Sequence, residues 1–199
     1  MASEKEKMLS EQAYKASDKD LFDERLHAQK TCFDFNNSSP ELITERHDLI
    51  RRVLGSVSSE FYIQPPFQCD YGYNIHLGNH FYSNYNLTIL DCAEVRIGDH
   101  VMIAPNVSIF TAGHPIDAKK RNEEWEYAIP VTIGNNVWIG GNSVINPGVS
   151  IGDNTVIGSG SVVTRNIPSN VIAAGNPCKV IREITKADED FYFKDRRFK

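Results

Sequence analysis

No stretch of this 199-residue chain approaches the roughly 20 consecutive uncharged apolar residues that a bilayer-spanning helix needs, and the mean hydropathy is −0.37. The first thirty residues also lack the apolar core of a secretory signal; Lys5, Glu6, Lys7, Glu11, Lys15, Asp18 and Lys19 interrupt them. Positive charge is not in excess either. A formal charge of −5 and a pI near 5.7 argue against a dedicated nucleic-acid binder, which is usually basic. Cysteine is sparse: Cys32, Cys69, Cys92 and Cys178 form no C-x-x-C or other zinc spacing and no disulfide framework. Reduced thiols in a cytoplasmic protein are therefore expected. At this length the chain makes one main domain with an appendage, large enough to bury a core unaided.

Residues 1–60 read as a charged helical cap. Ser39-Pro40-Glu41 has the order of N-cap, first helical position and first-turn carboxylate. Leu42, Ile43, Leu49, Ile50, Val53 and Leu54 follow at helical spacing, and Gly55 is placed to end the helix. From about Glu4 to Gln29 a weaker helical periodicity rests on Tyr14, Leu21, Phe22 and Leu26.

Beyond about Phe61 the period becomes six. Ile133, Ile139, Ile145, Ile151, Ile157 and Val163 fall in one column, each followed by a small or short polar residue. The same phase recurs upstream at Ile97, Ile103 and Ile109, and more weakly at Leu77, Ile89 and Val95. Neither a helix nor a plain meander has this period. A short flat strand plus a corner does, and three such units of 18 residues make one coil of a triangular prism with stacked inward aliphatics. Gly, Asn and Asp suit the corners, where unusual backbone angles are needed. The expected fold is mainly β: a parallel β-helix of hexapeptide repeats over 61–185, followed by a C-terminal tail at 186–199.

The period fails between His114 and Pro130 and resumes in phase at Ile133. A segment this long must leave the prism, so a protruding loop at 115–130 is expected, and long loops on rigid scaffolds are often functional. His114 stands at the handover from coil to loop, held by a rigid wall and covered by a mobile loop, which suits a general base. His27 and His47 fall on the predicted helices as solvated side chains; His76, His80 and His100 fall at corners or outward positions. No third histidine joins them at metal-ligand spacing, so no metal is expected.

The run Ile133-Gly134-Asn135-Asn136-Val137-Trp138-Ile139-Gly140-Gly141, with Ile145-Asn146-Pro147-Gly148-Val149, resembles the galactoside and maltose O-acetyltransferase group of the hexapeptide acyltransferases. Ala173-Ala174-Gly175-Asn176-Pro177-Cys178-Lys179-Val180-Ile181-Arg182 is similar to the C-terminal signature of that group. Asp70-Tyr71-Gly72-Tyr73-Asn74-Ile75 and Phe81-Tyr82-Ser83-Asn84-Tyr85-Asn86 also match. The resemblance covers roughly residues 9 to 185. It implies a left-handed β-helix, a homotrimer with sites between subunits, and acetyl-CoA as co-substrate with a sugar or glycoside as acceptor. No nucleic acid, membrane or metal is implied.

The resemblance makes His114 the base that deprotonates an acceptor hydroxyl. A backbone N–H near Gly140 and Gly141 would hold the oxyanion. It assigns Asn84, Tyr82, Asp70, Asp91 and Arg25 to the acceptor. To the coenzyme it assigns Trp138, Gly140, Gly141, Ser159, Gly160, Thr164, Arg165, Lys179 and Arg182. Two positions depart from the family pattern. The chain has Lys15 where an acidic residue is common after Tyr14, with Asp18 as the substitute, and Cys92 where galactoside-type members carry a second acid after Asp91. The second departure leans toward the maltose type. Competing readings are a hexapeptide acetyltransferase for an antibiotic or serine, and a non-catalytic solenoid scaffold. A ping-pong route through Cys92 lacks an identifiable base partner.

Overall fold

The computed structural model describes residues 2–199. The N-terminal region holds two helices where one weakly periodic stretch is read, followed by a third. Helix α1 (Glu4–Leu9) starts at a capping box in which Ser3 Oγ accepts the Glu6 N–H and the Glu6 carboxylate accepts the Ser3 N–H. Glu11, with φ of 58°, turns the chain out of the helix, and Tyr14–Lys15 is extended. Asp18 then caps α2 (Lys19–Asn36) by accepting the Asp20 and Leu21 N–H groups. Helix α3 (Ile43–Val53) begins later than Ser39-Pro40 implies, because Pro40 and Glu41 form a turn ahead of it. Gly55 does not cap α3, which ends at Val53. A Cβ on Gly55 would stand 2.0 Å from the Tyr73 carbonyl oxygen, so glycine is needed there for close backbone approach.

The prism starts earlier than residue 61: Ser56–Val57 already pairs in parallel with His76–Leu77. From there the chain visits three parallel sheets in strict rotation. The first contains Ile75–Leu77, Val95–Ile97, Val131–Ile133 and Ser150–Ile151; the second Phe61–Ile63, Phe81–Ser83, Met102–Ile103, Trp138–Ile139 and Val156–Ile157. Phe67–Cys69, Leu87–Leu90, Ser108–Phe110, Val144–Ile145 and Val162–Val163 make the third. Inward residues stack in register: Ile103 on Ile139 on Ile157, Ile89 on Ile109 on Ile145 on Val163, all buried. Val171–Ala174 adds to the second sheet, and Lys179–Glu183 closes it antiparallel.

Coil length explains the fading of the repeat upstream. Late coils have the expected 18 residues, as Thr132 pairs with Ser150. Early coils have twenty, as Ile75 pairs with Val95 and Phe67 with Leu87. The surplus sits at one edge, between the third and first sheets, in Asp70–Asn74 and again in Asp91–Glu94. On the next coil the same edge carries the long insertion before Val131. Elsewhere most corners are left-handed Asn residues, stacked so that Asn136 donates to Asn154 and Asn154 to Asn170, each at 3.0 Å, with Gly148 and Gly160 in the same conformation. His80 and His100 take the same conformation on early coils and stack on each other.

Ala28, Cys32 and Phe35 of α2, with Ile50 and Val53 of α3, continue the aliphatic core and plug the open end of the prism. His47 is not solvated: it lies on the Phe61 ring, and burial with the nearby Arg51 and Arg46 charges lowers its pKa. The segment after His114 is ordered. It forms α4 (Ala118–Asn122), capped by Asp117, and the strand Trp125–Ala128. That strand pairs with Ala112–Gly113 on one side and with Tyr14–Lys15 on the other. Residues 186–190 make one 3-10 turn and 191–197 a short hairpin. Among the described residues no helix is long and apolar enough to cross a membrane.

Candidate active site

The widened edge and the inserted strand enclose a cavity of about 410 Å³ lined by Ala16, Arg25, Asp70, Leu90, Cys92, Phe110, Ala112, Gly113, His114 and Glu126. Its size is in the range of small-molecule pockets. Each wall is fixed by local sequence. Thr111, fully buried, donates to the Leu90 carbonyl at 2.7 Å and accepts the Ala93 N–H at 2.9 Å, closing the coil just before the chain departs. Gly113 lets the Tyr127 ring lie against the backbone, since a Cβ there would sit 2.4 Å from the far end of that ring. His114 follows on the rim, its side chain 58% exposed, with Nε2 4.0 Å from Glu126 Oε1. Glu126 is anchored by the fully buried Tyr14, whose hydroxyl donates to Oε2 at 2.9 Å.

Opposite, Arg25 of α2 donates to the Tyr71 hydroxyl at 2.6 Å and to the Ala16 carbonyl at 2.7 Å. Asp70 accepts from the Cys92 thiol at 3.4 Å, and burial in the wall lifts its carboxyl above the ordinary carboxylate range. Burial and the Asp70 charge push the Cys92 thiol far up, so it is no nucleophile near neutral pH.

Of the residues assigned to the acceptor, Arg25 and Asp70 therefore meet His114 on this cavity. Asp91 does not line it. Its side chain is fully buried and accepts the N–H groups of Asp70, Tyr71 and Asn74 at 3.0, 2.9 and 3.3 Å, so it holds the widened corner together. Tyr82 and Asn84 lie elsewhere: Tyr82 stacks on Tyr62 on the outer face of the second sheet, and Asn84 Oδ1 accepts the Tyr85 N–H. Lys15 turns away from the cavity, with its ammonium over the Trp125 ring and bonded to the Glu123 carbonyl. Asp18, being the cap of α2, does not replace the missing acid; Ala16 lines the pocket instead.

Most coenzyme assignments fall on the second sheet and the corner after it, while Thr164 and Arg165 follow Val162–Val163 of the third. Trp138 is half exposed in an outward ladder between Met102 and Val156, one coil beyond Met102 and two beyond Tyr82. Gly140 donates to the Ile157 carbonyl at 2.7 Å, which removes it as an oxyanion donor. Its role is steric: a Cβ would stand 2.5 Å from the Ser159 nitrogen. Gly141 accepts from the Gly160 N–H at 2.8 Å, and Gly160 (φ +72°) has open space where a Cβ would be. Thr164, Arg165 and Lys179 are exposed. Arg182 is already engaged, with two hydrogen bonds of 2.9 and 2.7 Å to the Asp188 carboxylate. Among the described residues no group of three or more His, Cys, Asp or Glu is arranged to hold a metal ion.

Glu126 and Tyr14 escape sequence reading because they come from segments 112 positions apart. The only hint is the placement of Trp125-Glu126-Tyr127-Ala128 within the break of the repeat.

Residues 7–58 match the maltose acetyltransferase hexapeptide capping motif, and 130–165 match the bacterial transferase hexapeptide (six repeats). The chain is 47% identical to the galactoside O-acetyltransferase of Escherichia coli K12, over 88% of this chain and 86% of that one. It is 54% identical to a putative acetyltransferase of Saccharomyces cerevisiae, over 86% and 87%. Among solved structures, a maltose O-acetyltransferase from Clostridium difficile 630 superposes with a TM-score of 0.91 at 51% identity, over 93% of this chain and 99% of that one. A galactoside acetyltransferase in complex with coenzyme A superposes over the whole of both chains, at 0.96 and 45%. The fold is thus the left-handed β-helix expected, and the chain is an acetyltransferase belonging to the galactoside and maltose O-acetyltransferase group of the hexapeptide-repeat family.

Proposed function

We propose that this enzyme transfers the acetyl group of acetyl-CoA to a hydroxyl of a sugar or glycoside by direct attack, with His114 as general base. His114 takes the hydroxyl proton as the oxygen bonds to the thioester carbonyl carbon. The carbon–sulfur bond then breaks and the CoA thiolate leaves. The observation that carries this reading is the meeting of His114, Glu126, Asp70 and Arg25 on one cavity in a chain of this family. Two carboxylates and a guanidinium suit a polyhydroxylated acceptor, and Glu126 is placed to orient the His114 imidazole or an acceptor hydroxyl. The Gly141 N–H, unlike that of Gly140, is the oxyanion donor in this scheme.

Tyr82, Asn84 and Trp138 stand apart from that cavity on one chain, and Tyr82, Met102 and Trp138 form an exposed apolar ladder. Both facts support a homotrimer in which each site combines the cavity of one subunit with the second sheet of its neighbour. The relatives solved with coenzyme A or acetyl-CoA support the co-substrate.

The test is thiol release from acetyl-CoA across a panel of glycosides. Positioned base catalysis contributes about 10²–10⁴ in rate, so His114→Ala is expected to lower turnover by that factor. Turnover close to that of the unaltered enzyme removes His114 as the base. Release with a serine or antibiotic acceptor, and with no glycoside, removes the sugar.

A further inference from the structure

A buried pair of thiols joins the helical cap to the prism, apart from the groups that face the cavity. Cys32, on the inner side of α2, has its Sγ 3.6 Å from the Sγ of Cys69, the last residue of strand Phe67–Cys69. The two are 1% and 5% exposed. One turn beyond Cys32, the Asn36 amide bonds the Phe67 backbone in both directions, donating to its carbonyl at 2.9 Å and accepting its N–H at 2.8 Å. Helix and strand are thereby held in fixed register beside the sulfurs. A disulfide needs an S–S separation of about 2.05 Å. Closing the remaining gap takes a shift of about 1.5 Å, within reach of side-chain rotation and a small backbone adjustment.

We propose that Cys32 and Cys69 form a reversible disulfide that staples α2 to the prism, with a small peroxide as oxidant. Cys32 sulfur attacks one peroxide oxygen, giving a sulfenic acid and water. Cys69 sulfur then displaces that hydroxyl as a second water and completes the bridge. Two thiols lose two electrons and two protons, and the peroxide is reduced to two waters. The two sulfurs share one contact in which either can be the hydrogen-bond donor, so the step balances equally with the two thiols exchanged. The bridge ties the helix that carries Arg25 to the strand that ends beside Asp70, so it spans two walls of the cavity.

The full-length reduced protein is treated with hydrogen peroxide, blocked with N-ethylmaleimide and mapped by mass spectrometry. The expected result is a Cys32–Cys69 linked peptide, two hydrogens lighter than the reduced pair and restored by dithiothreitol. Closing a 37-residue loop is expected to raise the melting temperature of the oxidised protein by about 5–10 °C. That rise should vanish in Cys69→Ser and in Cys32→Ala, the latter keeping the apolar fit under the helix. Both thiols recovered reduced, either one recovered as sulfinic acid, or a bridge to Cys92 or Cys178 instead would overturn the proposal. The wild-type peptide map decides this without either variant.

Discussion

At Asp91 a carboxylate is spent on the backbone rather than on a ligand. It accepts three N–H groups at a corner two residues longer than a hexapeptide corner requires, and burial raises its pKa to about 6. A carboxyl whose folded pKa lies above its unfolded value of about 3.9 favours folding most when protonated. Its contribution is therefore fully present below about pH 4 and is lost as pH rises through about 6. Compared with Asp91→Asn, the wild-type protein should gain about 2–3 kcal/mol of relative stability on going from pH 7 to pH 4. Denaturant titrations of both proteins at the two pH values measure the difference. A gap independent of pH would show that Asp91 is not titrating in this range. The resemblance assigns both Asp91 and Asp70 to the acceptor. Only the structure shows that Asp91 faces three amides while Asp70 faces the cavity.

At the scale of elements, the insertion works as a clip. The strand Trp125–Ala128 is sandwiched between Ala112–Gly113 and Tyr14–Lys15, and Ser17 adds a 2.5 Å hydrogen bond to Glu124. Tyr14→Phe removes the hydroxyl that anchors Glu126. Because Glu126 is partly exposed and can recruit water, the expected loss is about 1 kcal/mol, or about 2–4 °C in melting temperature, by differential scanning calorimetry. Gly113→Ala should displace the partly exposed Tyr127 ring, whose far end the new methyl meets, and so loosen the clip locally. Faster cleavage of the 115–130 segment by protease, with the prism left intact, is the expected outcome. The hexapeptide columns were legible because each aliphatic repeats beside the same kind of corner. The clip was not, because two-residue pairing across more than a hundred positions leaves no period. The helix starts failed for a local reason: Ser39-Pro40-Glu41 has the composition of a cap but is used as a turn.

Across the whole molecule, stability comes from thin columns, so each position matters to the coils on both sides. Ile139 lies between Ile103 and Ile157 and is fully buried; Ile139→Ala should cost about 2–5 kcal/mol. Chemical denaturation reads that loss directly. At the far end of the prism, Lys179 and Arg182 are the cations assigned to the coenzyme phosphates, with Arg182 held by Asp188. Replacing both with Gln should raise the KM for acetyl-CoA more than it lowers kcat; the reverse pattern in steady-state kinetics counts against that placement. Sedimentation equilibrium tests the trimer, which predicts three times the 22.4 kDa chain mass.

The surplus residues of three successive coils all leave the prism at the same edge, while the other two edges keep their six-residue rhythm. Each coil touches only its neighbours, so length added at that edge does not propagate into the columns. The pocket can therefore be resized by exchanging Asp70–Asn74, Asp91–Glu94 and the clip as one matched set, since Asp91 holds the amides of the first corner and Thr111 accepts from Ala93 of the second, with the scaffold serving as a fixed rack that holds whichever set is fitted.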